Sequence, residues 1–348
     1  MSDAGLHLAT GSGLGANLGP LLAGRSSFHI GGVTVAVKAD RPADVAMLPP
    51  LAWFRSERVA ADIDVHVEWV SWLQPEGKLI FDSGATWRLC QRDREFQFDF
   101  SAPFFGDEPY KRLLVDEHFK RAILQMNAAC RGRSRHPGMA LSYPLDELLI
   151  MHRLTQEKAI ELHGAGIVCA DGIGNLFVGH SEAGKSTTTR LWTEREDVEV
   201  LSDDRIIVRR DERKADPVHR GDGHEGVGVI RLRDRPASTT DHFAQDDKSG
   251  MRMYGTPWHG EAMYASPNSA PLARIFILEH GQGNVLTPLS RSHAVAELFA
   301  RSFVPFHRHE YVESALSFLE EVADAVPVYR FAFEPDQRAV ETILNLHD

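Results

Sequence analysis

The segment NLFVGHSEAGKSTTTRLW, Asn175 to Trp192, constrains the fold more than any other part of the sequence. A short apolar run leads into a glycine, four further residues and Gly-Lys-Ser, and then into a stretch of helical character. A strand is therefore expected to end in a tight loop that opens a helix. Gly179 and Gly184 let backbone N–H groups turn inward, Lys185 adds a positive charge, and Ser186 offers a hydroxyl to Mg2+. With the positive end of a helix behind them, these groups suit the phosphates of a nucleotide. The expected nucleotide-binding residues are Gly179, His180, Ser181, Glu182, Ala183, Gly184, Lys185, Ser186 and Thr187.

The residues around this loop narrow the chemistry. Ala165 to Ala170 reads as a second strand, joined through the turn former DGIG to Asn175–Val178 in an antiparallel hairpin. Pairing Ala170 with Asn175 across that turn places His163 opposite Ser181 and Glu182, back at the loop. There it could act as a metal ligand or support a catalytic aspartate. Beyond the helix, VEVLSDDRIIVRR reads as a strand interrupted by Asp203 and Asp204, with room before it for one short helix. Side chains that are adjacent on a strand face opposite sides. Either the backbone bends there, or the two carboxylates have different jobs.

At 348 residues the chain is long enough for two domains. From Phe28 to about Ala102 it favours strands, in FHIGGVTVAV, DIDVHVEWV, KLIFDSG, ATWRLCQ and EFQFDF. A helix is expected over YKRLLVDEHFKRAILQMNAA, and RGRSRHPG, Arg131 to Gly138, breaks the pattern. This divides the chain into a flexible Gly-rich tail (1–25), a strand-rich α+β domain (26–138) and an α/β nucleotide-binding domain (139–348). GSGLGANLG in the tail follows no strand and is not a dinucleotide fingerprint. The second part opens with a helix after Pro144; its far end holds strand RIFILE, helices SHAVAELFARSF and YVESALSFLEEVADA, strand VPVYRFAF and a closing helix from about Asp336.

The formal charge of −11 argues against nucleic acid and anionic membranes as partners. No run reaches membrane-spanning length, no signal-peptide pattern opens the chain, and the three scattered cysteines read as reduced thiols. A cytoplasmic protein is expected, with a homo-oligomer left open. TPWHGE, Thr256 to Glu261, is a candidate lid or packed turn. FHRHE, Phe306 to Glu310, lacks a third metal ligand at a matching spacing, and the acidic run Asp241 to Asp247 reads as a solvated loop.

Taken together, LHGAGIV, the glycine turn, GHSEAGKST and LSDDRIIV resemble the catalytic core of bacterial HPr kinase/phosphorylase and its kinase-like relatives. The likeness to phosphoenolpyruvate carboxykinase is more distant. The similarity covers about Pro144 to Asp211, with weaker echoes at GTPWHGE and SAPLARIFILE. It implies a phosphate-loop core with a mixed sheet, and transfer of the γ-phosphate of ATP to a hydroxyl of a protein or peptide serine or of a small molecule. By the same resemblance, Asp203 is the base, His163 supports it, and Asp204 and Ser186 handle Mg2+. The sequence departs from that family at Glu182, where a glycine is usual, and at Thr187, where a glutamate is usual. SPNSAPLAR stands where that family carries its catalytic arginine, which leaves Arg274 as a candidate. A carboxykinase-like lyase and a nonenzymatic ATP-dependent switch are the alternatives.

Overall fold

The computed structural model describes residues 24–71, 73, 75–131, 140–211 and 249–346. The tail up to residue 23, the greater part of the expected boundary (132–138) and the acidic run 241–247 lie outside the described residues. Among those described, the chain is mixed α/β, with two sheets of eight and nine strands and five α-helices.

The first sheet is the strand-rich unit. Its strands are β1 (Arg25–Ile30), β2 (Val33–Ala39), β3 (Ile63–Val70), β4 (Lys78–Asp82), β5 (Trp87–Arg92), β6 (Glu95–Phe100), β7 (Lys111–Asp116) and β8 (Arg121–Asn127). They are ordered β1-β2-β3-β8-β7-β6-β5-β4. Ile63, Val65 and Val67 of β3 face the core while Asp64 and His66 face outward, the alternation of a sheet buried on one side. Asp99 and Arg112, opposite each other on β6 and β7, form a buried two-point ion pair with both contacts at 2.5 Å. Removing either partner of such a pair costs about 3–5 kcal/mol.

The hairpin of β7 and β8 stands where the sequence suggested one helix over 110–129. The Asp116 carboxylate accepts the backbone N–H groups of His118, Lys120 and Arg121, and Phe119 takes a left-handed φ of 50°, so the chain reverses here. Each arm then finds a distant partner, β6 for β7 and β3 for β8. Leu113 and Val115 on one arm, and Ala122, Leu124 and Met126 on the other, enter the core with the period of a strand.

A helix, α1 (Leu145–Leu154), follows, and it shares the core of the first sheet through Leu145, Leu148, Leu149 and Leu154. The second sheet is mixed. It contains β9 (Ala159–Val168), β10 (Gly174–Val178), β11 (Glu199–Ser202), β12 (Arg205–Arg210), β13 (Met251–Tyr254), β14 (Ser269–His280), β15 (Val285–Pro288), β16 (Ser302–Phe303) and β17 (Val328–Phe333). Parallel pairs β10–β14 and β14–β17 sit among antiparallel ones. Its helices are α2 (Lys185–Thr193), α3 (Arg291–Phe299), α4 (His309–Ala325) and α5 (Gln337–Leu344). Leu176 and Val178 on β10 pack in the cluster that includes α3 and α4, whereas Phe177 between them packs in the cluster with α2 and α5. Helices thus cover both faces of this sheet, and its central strands are apolar on both sides.

Candidate functional site

Strand β10 ends at Val178 and α2 starts at Lys185, so the intervening loop lies at the end of a fully buried strand. Both of its glycines are sterically required. A Cβ on Gly179 would lie 2.7 Å from the Ala183 Cβ. One on Gly184, which caps α2 at φ 100°, would lie 2.6 Å from the Phe333 ring. Glu182 is exposed at φ 68°, and its carbonyl accepts a hydrogen bond from His280 Nε2 at 2.7 Å. Its carboxylate therefore has an outward setting, on a backbone conformation that glycine would adopt without cost. His180, Ser181 and Ser186 are exposed, while Ala183 and Thr187 are half-buried.

Lys185 is buried, and its Nζ donates to the carbonyls of Gly179 at 3.0 Å and His180 at 2.9 Å. Burial lowers its pKa, the charge of Asp204 opposes that shift, and Arg205 and Arg301 reinforce it. Among the described residues, the direct partners of the ammonium are these two loop carbonyls, and several other charges act on it from further away.

Strand β9 carries His163 to this loop. The β9–β10 hairpin pairs Val168 with Gly174 and Gly164 with Val178, and the Gly179 N–H donates to the His163 carbonyl at 3.3 Å. His163 therefore stands opposite Gly179, and not opposite Ser181 and Glu182. The difference arises at the turn. Cys169 pairs with Ile173 across Asp171 and Gly172, and the Asp171 carboxylate accepts the Ile173 N–H at 2.9 Å, which advances the register.

On the other side of β9, β12 pairs Arg205 with His163, which brings the acid pair alongside. The two aspartates diverge. Asp203 is buried at 3% exposure, and its oxygens accept the backbone N–H groups of Gly260 (3.0 Å), Tyr264 (3.2 Å) and Ala262 (2.9 Å). Asp204 turns the opposite way, and its Oδ1 lies 2.9 Å from His163 Nε2, each side chain 24% exposed. Its Oδ2 accepts from Arg205 Nη1. The expectation that His163 supports Asp203 is thus corrected: its partner is Asp204, because neighbouring side chains at the β11–β12 junction face apart. Burial favours the protonated Asp204, but the His163 hydrogen bond and the charges of Arg205, His163 and Lys185 outweigh it, so its pKa lies below the ordinary carboxylate value.

Thr256 to Glu261 is a packed strap. Trp258 is buried in the core of the first sheet, and its Nε1 donates to Asp146 Oδ2 on α1 at 3.0 Å. Thr256 Oγ1 donates to the Arg205 carbonyl at 2.8 Å. The amide of Gly260 in the strap, with those of Ala262 and Tyr264 just beyond it, holds Asp203.

Arg274, the candidate arginine, lies opposite Asn175 at the end of β10 remote from the loop, where its Nη2 donates to the Leu346 carbonyl at 3.0 Å. Two other arginines bear on the site and were not singled out from the sequence. Arg205 is one, its guanidinium 4.0 Å from the Phe303 ring centre. Arg301 is the other; its carbonyl accepts the His163 N–H at 2.8 Å, and its charge is the main influence lowering the His180 pKa. Glu147 and Glu161, both against Arg205 Nε, were also missed. The signals were faint: Arg205 directly follows the acids, and Glu161 precedes His163 by one strand repeat.

Within FHRHE, His307 packs edge-on against Phe96 and Tyr311 and tilted against His152, and burial pushes its pKa down to about 4, while Phe306 and His309 are exposed. Among the described residues no group of three His, Cys, Asp or Glu side chains converges to hold a metal, and no described helix is long and apolar enough to cross a membrane. Cavities of about 170 Å3 beside Trp192 and about 430 Å3 beside Arg209 have no wall formed by residues 179–187. No protein-family model and no curated protein matches this chain.

Proposed function

We propose that this chain is an ATP-dependent phosphotransferase of the HPr kinase-like type, moving the γ-phosphate to a hydroxyl of a protein, peptide or small molecule. The observation that carries the reading is the convergence of a buried Lys185, hydrogen-bonded to loop carbonyls, with the Asp204–His163 pair. A nonenzymatic switch needs the lysine but has no use for the pair.

In this reading the Gly179–Thr187 amides and the N-terminus of α2 receive the phosphates, and Lys185 exchanges its carbonyl partners for phosphate oxygens. The donor set suits Mg2+, which takes few protein oxygens and fills its sphere with phosphate and water; the exposed Ser186 hydroxyl would hold it. The ion would neutralise charge on the phosphates. Asp204 Oδ accepts the acceptor hydroxyl's proton, His163 keeps that carboxylate oriented, the new O–P bond forms, and the bond from the γ-phosphorus to the bridging oxygen breaks to release ADP.

The roles of the two aspartates therefore differ from those implied by the family resemblance: Asp204 is the base, and Asp203 fixes the strap. Incubation with γ-labelled ATP, Mg2+ and a lysate from the protein's own source tests the activity. Transfer of label to a discrete acceptor is expected. ATP binding without any labelled acceptor or ADP would leave the switch as the better account.

A further inference from the structure

The cluster behind Asp204 contains one more buried acid than a simple ion pair needs. Arg205 Nε donates to Glu147 Oε1 at 3.0 Å and lies 3.4 Å from Glu161 Oε1, while Nη1 reaches Asp204. Three carboxyl groups from three elements, α1, β9 and the β11–β12 junction, thus surround one guanidinium. Glu161 is 1% exposed, and neither of its oxygens accepts a hydrogen bond from a described donor. A fully buried carboxyl group that accepts no hydrogen bond is costly to keep charged, and Glu147 already supplies Arg205 with a counter-charge.

Arg205 Nε faces both acids, Glu147 Oε1 at 3.0 Å and Glu161 Oε1 at 3.4 Å, so the two carboxyl groups share one side of the guanidinium. Burial is the largest influence raising the Glu161 pKa, with Glu147 adding to it and Arg205 opposing it. The guanidinium is then fixed on three sides, by this carboxyl pair, by the Phe303 ring and by Asp204. Without that hold, an arginine so close to Lys185 would turn toward a bound triphosphate, which is the stronger anion, and would leave Asp204 unrestrained.

We propose that Glu161 is a positioning residue: paired with Glu147, it holds the Arg205 guanidinium against Asp204, so that the carboxylate keeps its orientation when the phosphate site fills. The proposal rests on the phosphotransferase reading for its kinetic consequence, but its structural part stands without it. A neutral, hydrogen-bonding side chain is what the position requires, so glutamine is the conservative replacement and alanine the disruptive one.

The test compares wild type, Glu161→Gln and Glu161→Ala in two ways. Crystal structures soaked with Mg2+ and a non-hydrolysable ATP analogue should show Arg205 on Asp204 in wild type and Glu161→Gln, and displaced in Glu161→Ala. Arg205 still on Asp204 in the alanine variant overturns the proposal whether or not the protein is a kinase. Where label transfer is measurable, Glu161→Ala should lose about tenfold to a hundredfold in kcat with KM for ATP changed less than about threefold, and Glu161→Gln should recover most of the loss. An equal loss in both variants, or a rise in KM alone, also overturns it. Absence of nucleotide binding and transfer in the wild type would instead refute the functional reading, leaving the comparison of Arg205 in nucleotide-free crystals as the deciding measurement.

Discussion

The two sides of the acid pair are built from different materials. On the Asp203 side everything is backbone and burial: three amides enclose the carboxylate, and the strap that leads into them is anchored through Trp258 in the core of the first sheet. On the Asp204 side the partners are side chains, His163 and Arg205, and the carboxylate retains access to solvent and to the field of Lys185. A carboxylate enclosed by amides is fixed in place, whereas one held by a histidine and an arginine keeps side-chain partners and solvent access. In the proposed function these two settings correspond to a structural and a catalytic role.

The largest expected effect breaks the first side. Asp203→Ala leaves the N–H groups of Gly260, Ala262 and Tyr264 without this acceptor; only the Tyr264 bond is fully buried, so at about 1–3 kcal/mol for a buried unsatisfied group and less for the other two the loss is on the order of 3 kcal/mol. Chemical denaturation should register it as a lower midpoint. A loss below about 1 kcal/mol would show that the strap does not depend on this residue.

Lys185→Ala acts on the other side. It removes charge-assisted contacts worth about 1.5–3 kcal/mol each, so Mg2+-ATP affinity should fall by roughly tenfold to a hundredfold, with little change in stability. Calorimetry giving equal affinities would remove the loop from the account.

A smaller change sharpens the link between Asp203 and the first sheet. Trp258→Phe keeps an aromatic ring but removes part of the indole's buried volume and deletes the donor to Asp146, at a cost of about 1–3 kcal/mol. Burial already pushes the Asp146 pKa up to about 6, and the indole N–H works against that shift. A carboxyl group whose folded pKa is raised contributes stability that is fully present below the unfolded value and is lost as pH rises through the folded one. The loss should therefore run from about pH 4 to pH 6 in the wild type and extend higher in Trp258→Phe. Identical stability–pH curves for the two proteins would contradict this.

The smallest effect lies in the loop itself. Glu182 holds a left-handed backbone at φ 68°, so Glu182→Gly should be neutral or stabilising by up to about 1 kcal/mol and should leave ATP affinity intact. A marked loss of affinity would assign the glutamate a part in binding.

What the sequence could convey follows from how local each feature is. The strand, loop and α2 helix lie within one short segment, and the alternation in β3 or the strand–acid–strand pattern of β11 and β12 is likewise local. Residues 110–129 were misread because their apolar residues also fit a helical spacing, and what excludes the helix is the Asp116 turn with pairing to β6 and β3. His163 was placed at the loop with a register error, since the turn is closed by Asp171 and not centred on DGIG. The partner of each aspartate was beyond reach. Asp203 depends on amides 57 to 61 positions away, and Glu161 acquires its setting only when β9, α1 and β12 meet.

The central claim is the division of labour between the two aspartates, and γ-label transfer by Asp203→Asn and Asp204→Asn, measured side by side at a temperature where both are folded, tests it most directly. Asp204→Asn should lose on the order of a hundredfold or more in transfer while binding Mg2+-ATP within a few-fold of wild type, the scale of a missing general base. Asp203→Asn should be less stable yet keep most of its activity per folded molecule. Full activity in Asp204→Asn together with a hundredfold loss in folded Asp203→Asn would contradict the account and return the base to Asp203.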